Sequence, residues 1–187
     1  MQRSYLPFGR IVSLKDDIVK YKPDFKGFSV TDTTKFAQDY LDNKLKPYLL
    51  SQKLPKDWDQ GSVKVVVAEN FKKVVKDPKK NVLIMFYAPW CQHCKQLEPI
   101  WVELAEHAKH FDSDLVVAKM DATVNELEDL KITQFPTIKF FPKDSGEVVD
   151  YSGERTLEAL KKFIESGGKQ ETEKKDSVSL HYVNRVG

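Results

Sequence analysis

Cys91 and Cys94 are the two cysteines of the chain, with Gln92 and His93 between them. A disulfide between positions three apart closes almost no loop, so the pair has little use as a structural staple. Its use in chemistry is larger. If the pair opens a helix, Cys91 meets unpaired backbone N–H groups and the positive end of the helix dipole. Such a setting lowers a thiol pKa from about 8.5 into the range of roughly 3.5–7.5. The thiolate is the attacking species in thiol–disulfide exchange, which makes Cys91 the candidate nucleophile. Cys94, one helical turn later, is placed to attack the mixed disulfide and free the substrate sulfur. Protonated His93 favours the thiolate and makes the disulfide form more oxidising; Gln92 adds no charge. Two other readings stand beside this one. A zinc site draws on about four Cys or His ligands, and this pair supplies two, with His107 and His110 several helical turns away. Two inert buried cysteines are the other, and Pro89-Trp90 argues against it by marking a turn where the chain leaves a strand.

The elements that must position this pair can be read from pattern. Residues 81–87 are a strongly apolar run of strand length, and a helix is predicted from about Cys91 to His110 with Leu97, Trp101, Leu104 and Ala105 on one face. Around them, strands are expected at 63–67, 115–120, 137–141 and 147–151. Helices are expected at 69–76, 124–131 and 156–166, the last stopped by Gly167-Gly168. The order β-α-β-α-β-α-β-β-α predicts an α/β fold with a central mixed sheet and helices on both faces. Before it, residues 1–53 hold a short apolar run at 11–14 and a helical pattern through Phe36, Tyr40 and Leu41, capped by Thr31 to Thr34. One strand and one helix enclose no core, so this region either packs on the α/β domain or is the end of a truncated unit. Residues 54–62 carry Pro, Gly and polar groups and read as a linker, and residues 169–187 as a disordered tail.

Composition excludes several classes. The 187 residues suit one domain with appendages. The net charge of +2, from 30 basic and 28 acidic groups, gives no reason to expect a nucleic-acid partner. No stretch approaches the roughly 20 apolar residues of a membrane helix. Residues 1–6 do not read as a secretory signal, and residues 180–187 lack a Lys-Asp-Glu-Leu type retention signal. Composition says nothing of oligomeric state.

The segment Phe86-Tyr87-Ala88-Pro89-Trp90-Cys91-Gln92-His93-Cys94-Lys95-Gln96-Leu97 resembles the active site of the protein disulfide isomerase family. Phe135-Pro136-Thr137, Val117-Ala118-Lys119-Met120-Asp121, Gly153-Glu154-Arg155-Thr156 and Phe163-Ile164-Glu165-Ser166-Gly167-Gly168 add to the match. The resemblance implies a thioredoxin-like fold at 63–168, equivalent to the second catalytic domain a′. It makes 1–53, with Lys20-Tyr21-Lys22-Pro23 and residues 46–52, the end of the preceding b′ domain, an incomplete thioredoxin-like fragment. It implies a thiol–disulfide oxidoreductase and isomerase acting on unfolded or disulfide-containing proteins in the endoplasmic reticulum lumen, with no cofactor or metal. By resemblance Pro136 is cis and lies beside the dithiol, Trp90, Phe135 and Pro136 form the substrate rim, and Arg155 tunes the resolving cysteine.

The chain departs from the family pattern at the site. Gln92 stands where the family has Gly. Met85 stands where the family has a buried glutamate that moves a proton from the resolving cysteine. That change predicts slower resolution by Cys94, and a Lys119 that is buried without its partner, free either to reach water or to serve as a substitute base in proton transfer. With most of b′ missing, client binding is expected to be weak, with apolar surface at Ile11, Phe36 and Leu41 exposed. The alternative function is a client-binding chaperone with vestigial redox activity.

Overall fold

The computed structural model describes residues 9–14, 18–25, 27, 29–111 and 114–169. Residues 1–6 and nearly all of the expected tail lie outside these. A two-stranded antiparallel hairpin pairs β1 (Ile11–Ser13) with β2 (Val19–Tyr21), and helix α1 (Val30–Leu41) follows. A five-stranded sheet comes next, built from β3 (Lys64–Val65), β4 (Asn81–Tyr87), β5 (Leu115–Asp121), β6 (Thr137–Phe141) and β7 (Val149–Tyr151). Its spatial order is β3-β5-β4-β6-β7, with β3, β5 and β4 parallel and β6 and β7 antiparallel. Helices α2 (Ala68–Val75), α3 (Gln92–Phe111) and α4 (Leu157–Glu165) complete the layers.

The central strand explains the apolar run in the sequence. Strand side chains alternate between faces, and on β4 both faces are covered. Leu83 and Met85 pack with Leu97, Trp101 and Leu104 of α3 and with Leu160 and Phe163 of α4. Val82, Ile84 and Phe86 pack on the other face with Phe71 and Val75 of α2. A strand covered on both sides carries no polar alternation. Trp101, 1% exposed, also donates its indole N–H to the Ala118 carbonyl at 2.9 Å, tying α3 to β5.

Caps set the helix ends. Ser29 is extended and its hydroxyl accepts from Asp32 N–H at 3.0 Å, so the cap of α1 is Ser29; Thr31 to Thr34, expected as the cap, lie inside the helix. At the end of α4, Gly167 and Gly168 adopt φ of 70° and 89°, and the Gly168 N–H returns to the Phe163 carbonyl at 2.9 Å.

Two further expectations need correction. The segment 124–131, expected as a helix, contains none. Its hydrogen bonds are spent elsewhere: Glu126 N–H donates to Leu50 O at 2.8 Å, and the Glu126 carboxylate accepts from Leu50 N–H and Lys20 Nζ. Buried Asn125 accepts from the N–H groups of Gln52 and Ala68 and donates to Asp121 O, joining three segments. Side chains committed in this way compete with the helical ladder. The second correction concerns the N-terminal region. It holds two strands, and these bonds seat residues 20 and 50–52 on the sheet domain. Leu41 is exposed as expected, at 70%, while Ile11 and Phe36 are half-buried, Phe36 lying edge-on to Phe25.

Candidate active site

Strand β4 ends at Tyr87, and the chain turns through Ala88, Pro89 and Trp90 before α3 begins at Gln92. This turn lifts Cys91 to the N-terminal edge of α3. Its own N–H donates to Ala88 O at 3.0 Å, which closes the turn. Cys91 and Cys94 are joined as a disulfide, with Cα atoms 5.3 Å apart. The site is therefore seen in its oxidised state. Both cysteines are buried, at 6% and 4%, against Ala88, Tyr87 and Phe135. The Cys94 N–H donates to Cys91 Sγ at 3.1 Å. In the reduced protein the same donor, with the helix dipole behind it, is placed to stabilise a Cys91 thiolate.

Around the pair lies a rim. Trp90 is 69% exposed and meets Phe135 edge-on at 5.7 Å between ring centres. The Phe135–Pro136 peptide is cis and Pro136 is buried. Pro136 leads into β6, the strand beside β4, so the two loops that carry Pro136 and Cys91 emerge from neighbouring strands. Trp90, Phe135 and Pro136 thus gather at the dithiol. His93 is exposed on the first turn of α3, and Arg155 is exposed in the turn ahead of α4. At about 1.5 Å per residue, His107 sits roughly 20 Å along α3 from Cys94. Among the described residues, no group of three or more His, Cys, Asp or Glu side chains is gathered to hold a metal.

Cys94 borders a cleft of about 180 Å³ that is also lined by Met85, Tyr87, Ala88, Pro89, Lys95, Glu98 and Lys119. Met85 and Lys119 are register partners on β4 and β5, which sets them side by side on the α3 face of the sheet. The expectation that Lys119 lacks a partner is corrected here. Its ammonium lies 2.6 Å from Glu98 Oε1 and 5.8 Å from the centre of the Tyr87 ring, with its side chain 26% exposed. Burial, then the carboxylates of Asp121 and Glu98, raise the Tyr87 hydroxyl above its ordinary pKa. Glu98 was missed by sequence reasoning, although helical spacing from Cys94 would have found it.

Comparisons with known proteins agree with this geometry. The thioredoxin family profile matches residues 62–166. Rabbit (Oryctolagus cuniculus) protein disulfide-isomerase is 50% identical over 169 residues, which is 90% of this chain and 33% of the relative. The Drosophila melanogaster protein disulfide-isomerase is 48% identical over 168 residues, 90% of this chain and 34% of the relative. The chain thus spans about a third of the length of these curated relatives. Among solved structures, the first thioredoxin domain of mouse protein disulfide-isomerase A4 superposes with a TM-score of 0.51 at 33% identity, covering 68% of this chain and 94% of that one.

Proposed function

The chain belongs to the thioredoxin family, among the protein disulfide-isomerases, and from that premise we propose that it is a thiol–disulfide oxidoreductase and isomerase of protein substrates. The observation that carries the proposal is the Cys91–Cys94 disulfide at the start of α3, with a backbone N–H on Cys91 Sγ and an exposed aromatic rim beside it. Cys91 attacks a client disulfide and Cys94 resolves the adduct. His93 and Arg155 tune the thiols, and Lys119 takes part in proton transfer next to Cys94. Trp90, Phe135 and Pro136 receive the client chain. The two sulfurs carry the redox equivalents, so the reaction needs no cofactor.

The proposed organisation has a catalytic unit at 63–168, a linker at 54–62, a fragment of a preceding substrate-binding domain at 1–53 and a tail from 169. The proposed residence in the endoplasmic reticulum lumen rests on the resemblance to the protein disulfide isomerase family. No helix among the described residues is long and apolar enough to cross a membrane.

Met85 in place of an acid is the feature that favours the second reading, a client-binding chaperone with vestigial exchange. Trapping separates the two. Cys94→Ala leaves Cys91 able to attack and nothing to release the adduct, so incubation with a disulfide-bonded client should give a mixed disulfide visible on a non-reducing gel and lost on reduction. Client binding with no covalent adduct would favour the chaperone.

A further inference from the structure

Building on the exchange reading, we propose that Glu98 is the proton acceptor for Cys94 during resolution, with Lys119 holding its carboxylate in position. Cys94 is 4% exposed, so its thiol has poor direct access to bulk water. Before it can attack, its proton needs a destination. The strand next to it offers none, since Met85 and Ile138 are register neighbours there and both are apolar.

The cleft beside Cys94 does offer one. Of the side chains that line it, Glu98 is the one carboxylate. Cys94 and Glu98 are four positions apart on α3, the spacing that puts two side chains on one helix face. The ion pair with Lys119 at 2.6 Å fixes the carboxylate from across the cleft. A volume of about 180 Å³ also has room for a bridging water, whose share of liquid is about 30 Å³. The Glu98 side chain is 53% exposed, so a proton it accepts continues to solvent.

The other ionisable groups facing the cleft are Lys95 on α3, Lys119 on β5 and Tyr87 on β4, with Asp121 on β5 acting on Tyr87. The ammonium groups are donors without a lone pair, and the phenol keeps its proton at neutral pH. Glu98 is the acceptor that remains.

In the resolving step, Cys94 S–H gives its proton to the Glu98 carboxylate, directly or through one water. The Cys94 sulfur electron pair forms the bond to Cys91 Sγ, and the bond between Cys91 and the client sulfur breaks. The client sulfur leaves as a thiolate and takes a proton from solvent. The client disulfide has gained two electrons, and the Cys91–Cys94 pair has lost them.

The test is Glu98→Gln in the full chain, read by single-turnover reaction of the reduced protein with a labelled peptide disulfide across pH 6 to 10. Mixed-disulfide formation through Cys91 should be unchanged. Release of the peptide should be about a hundredfold slower at pH 7, the low end of what a positioned base supplies. The gap should close above about pH 8.5, where an ordinary thiol ionises unaided. Equal release at pH 7, or a deficit of the same size at every pH, would overturn the proposal, the latter by showing a purely structural role. If the unsubstituted protein forms no mixed disulfide at all, the exchange reading itself fails and this proposal with it.

Discussion

Cys91→Ser reduces exchange to the uncatalysed background. A serine hydroxyl does not ionise near neutral pH and forms no disulfide, so neither the attack nor the adduct survives. Cys94 is not expected to take over, because it lies one turn into α3, away from the helix N-terminus that activates Cys91. Against the reduced protein, packing should hardly notice the change of one atom in this small buried cluster. The check is reduction of a fluorescent peptide disulfide together with a thermal melt. Loss of turnover with an unchanged melting temperature is the expected pair of results. Turnover retained in Cys91→Ser would move the nucleophile to Cys94.

Trp101→Ala costs about 3–5 kcal/mol, the range for deleting a fully buried Trp, and should be the most destabilising change on α3. Trp101 fills the space between Leu83, Met85 and Val117 on the sheet and Leu160 and Phe163 on α4. Its removal leaves a large apolar void and strips the Ala118 carbonyl of its indole donor. The consequence reaches the site, because α3 carries both cysteines and the Trp101 anchor holds that helix against β5. Urea unfolding of the reduced protein measures the loss. Val102→Ala, one position on and 43% exposed, serves as the control and should stay within about 0.5 kcal/mol. Similar losses for both variants would contradict the packing account.

The legible parts of the sequence were those where one physical rule acts alone. Residues 81–87 announce a strand because burial on both faces admits only apolar side chains there, and the bounds of β4 match. The cysteine pair is legible because its spacing has one economical use. The segment 124–131 misled because its apolar spacing resembles a helix, while Asn125 and Glu126 are spoken for by residues 20, 50, 52 and 68. Those partners lie 57 to 106 positions away in the chain, and a local pattern carries no trace of them. Strand β2 escaped for a related reason: three half-buried residues with a Lys in the centre show no alternation to read.

Lys119 shows the same limit at the site. The alternation along β5 predicts that it points towards α3, yet whether it meets a partner there depends on which residue α3 presents. That residue is Glu98, and only the packing of α3 on the sheet brings the two within 2.6 Å. On the proposed reading, the acid that the family resemblance places on the strand at position 85 is matched by Glu98 on the helix facing it.

The central claim is that Cys91 is an activated nucleophile, and the rate of its alkylation by iodoacetamide against pH, in the fully reduced protein, tests this most directly. The Cys94 N–H on Cys91 Sγ and the start of α3 predict an apparent pKa well below about 8.5, the value of an ordinary thiol. An apparent pKa at or above that value would contradict the account, because the fold would then hold the dithiol without activating it.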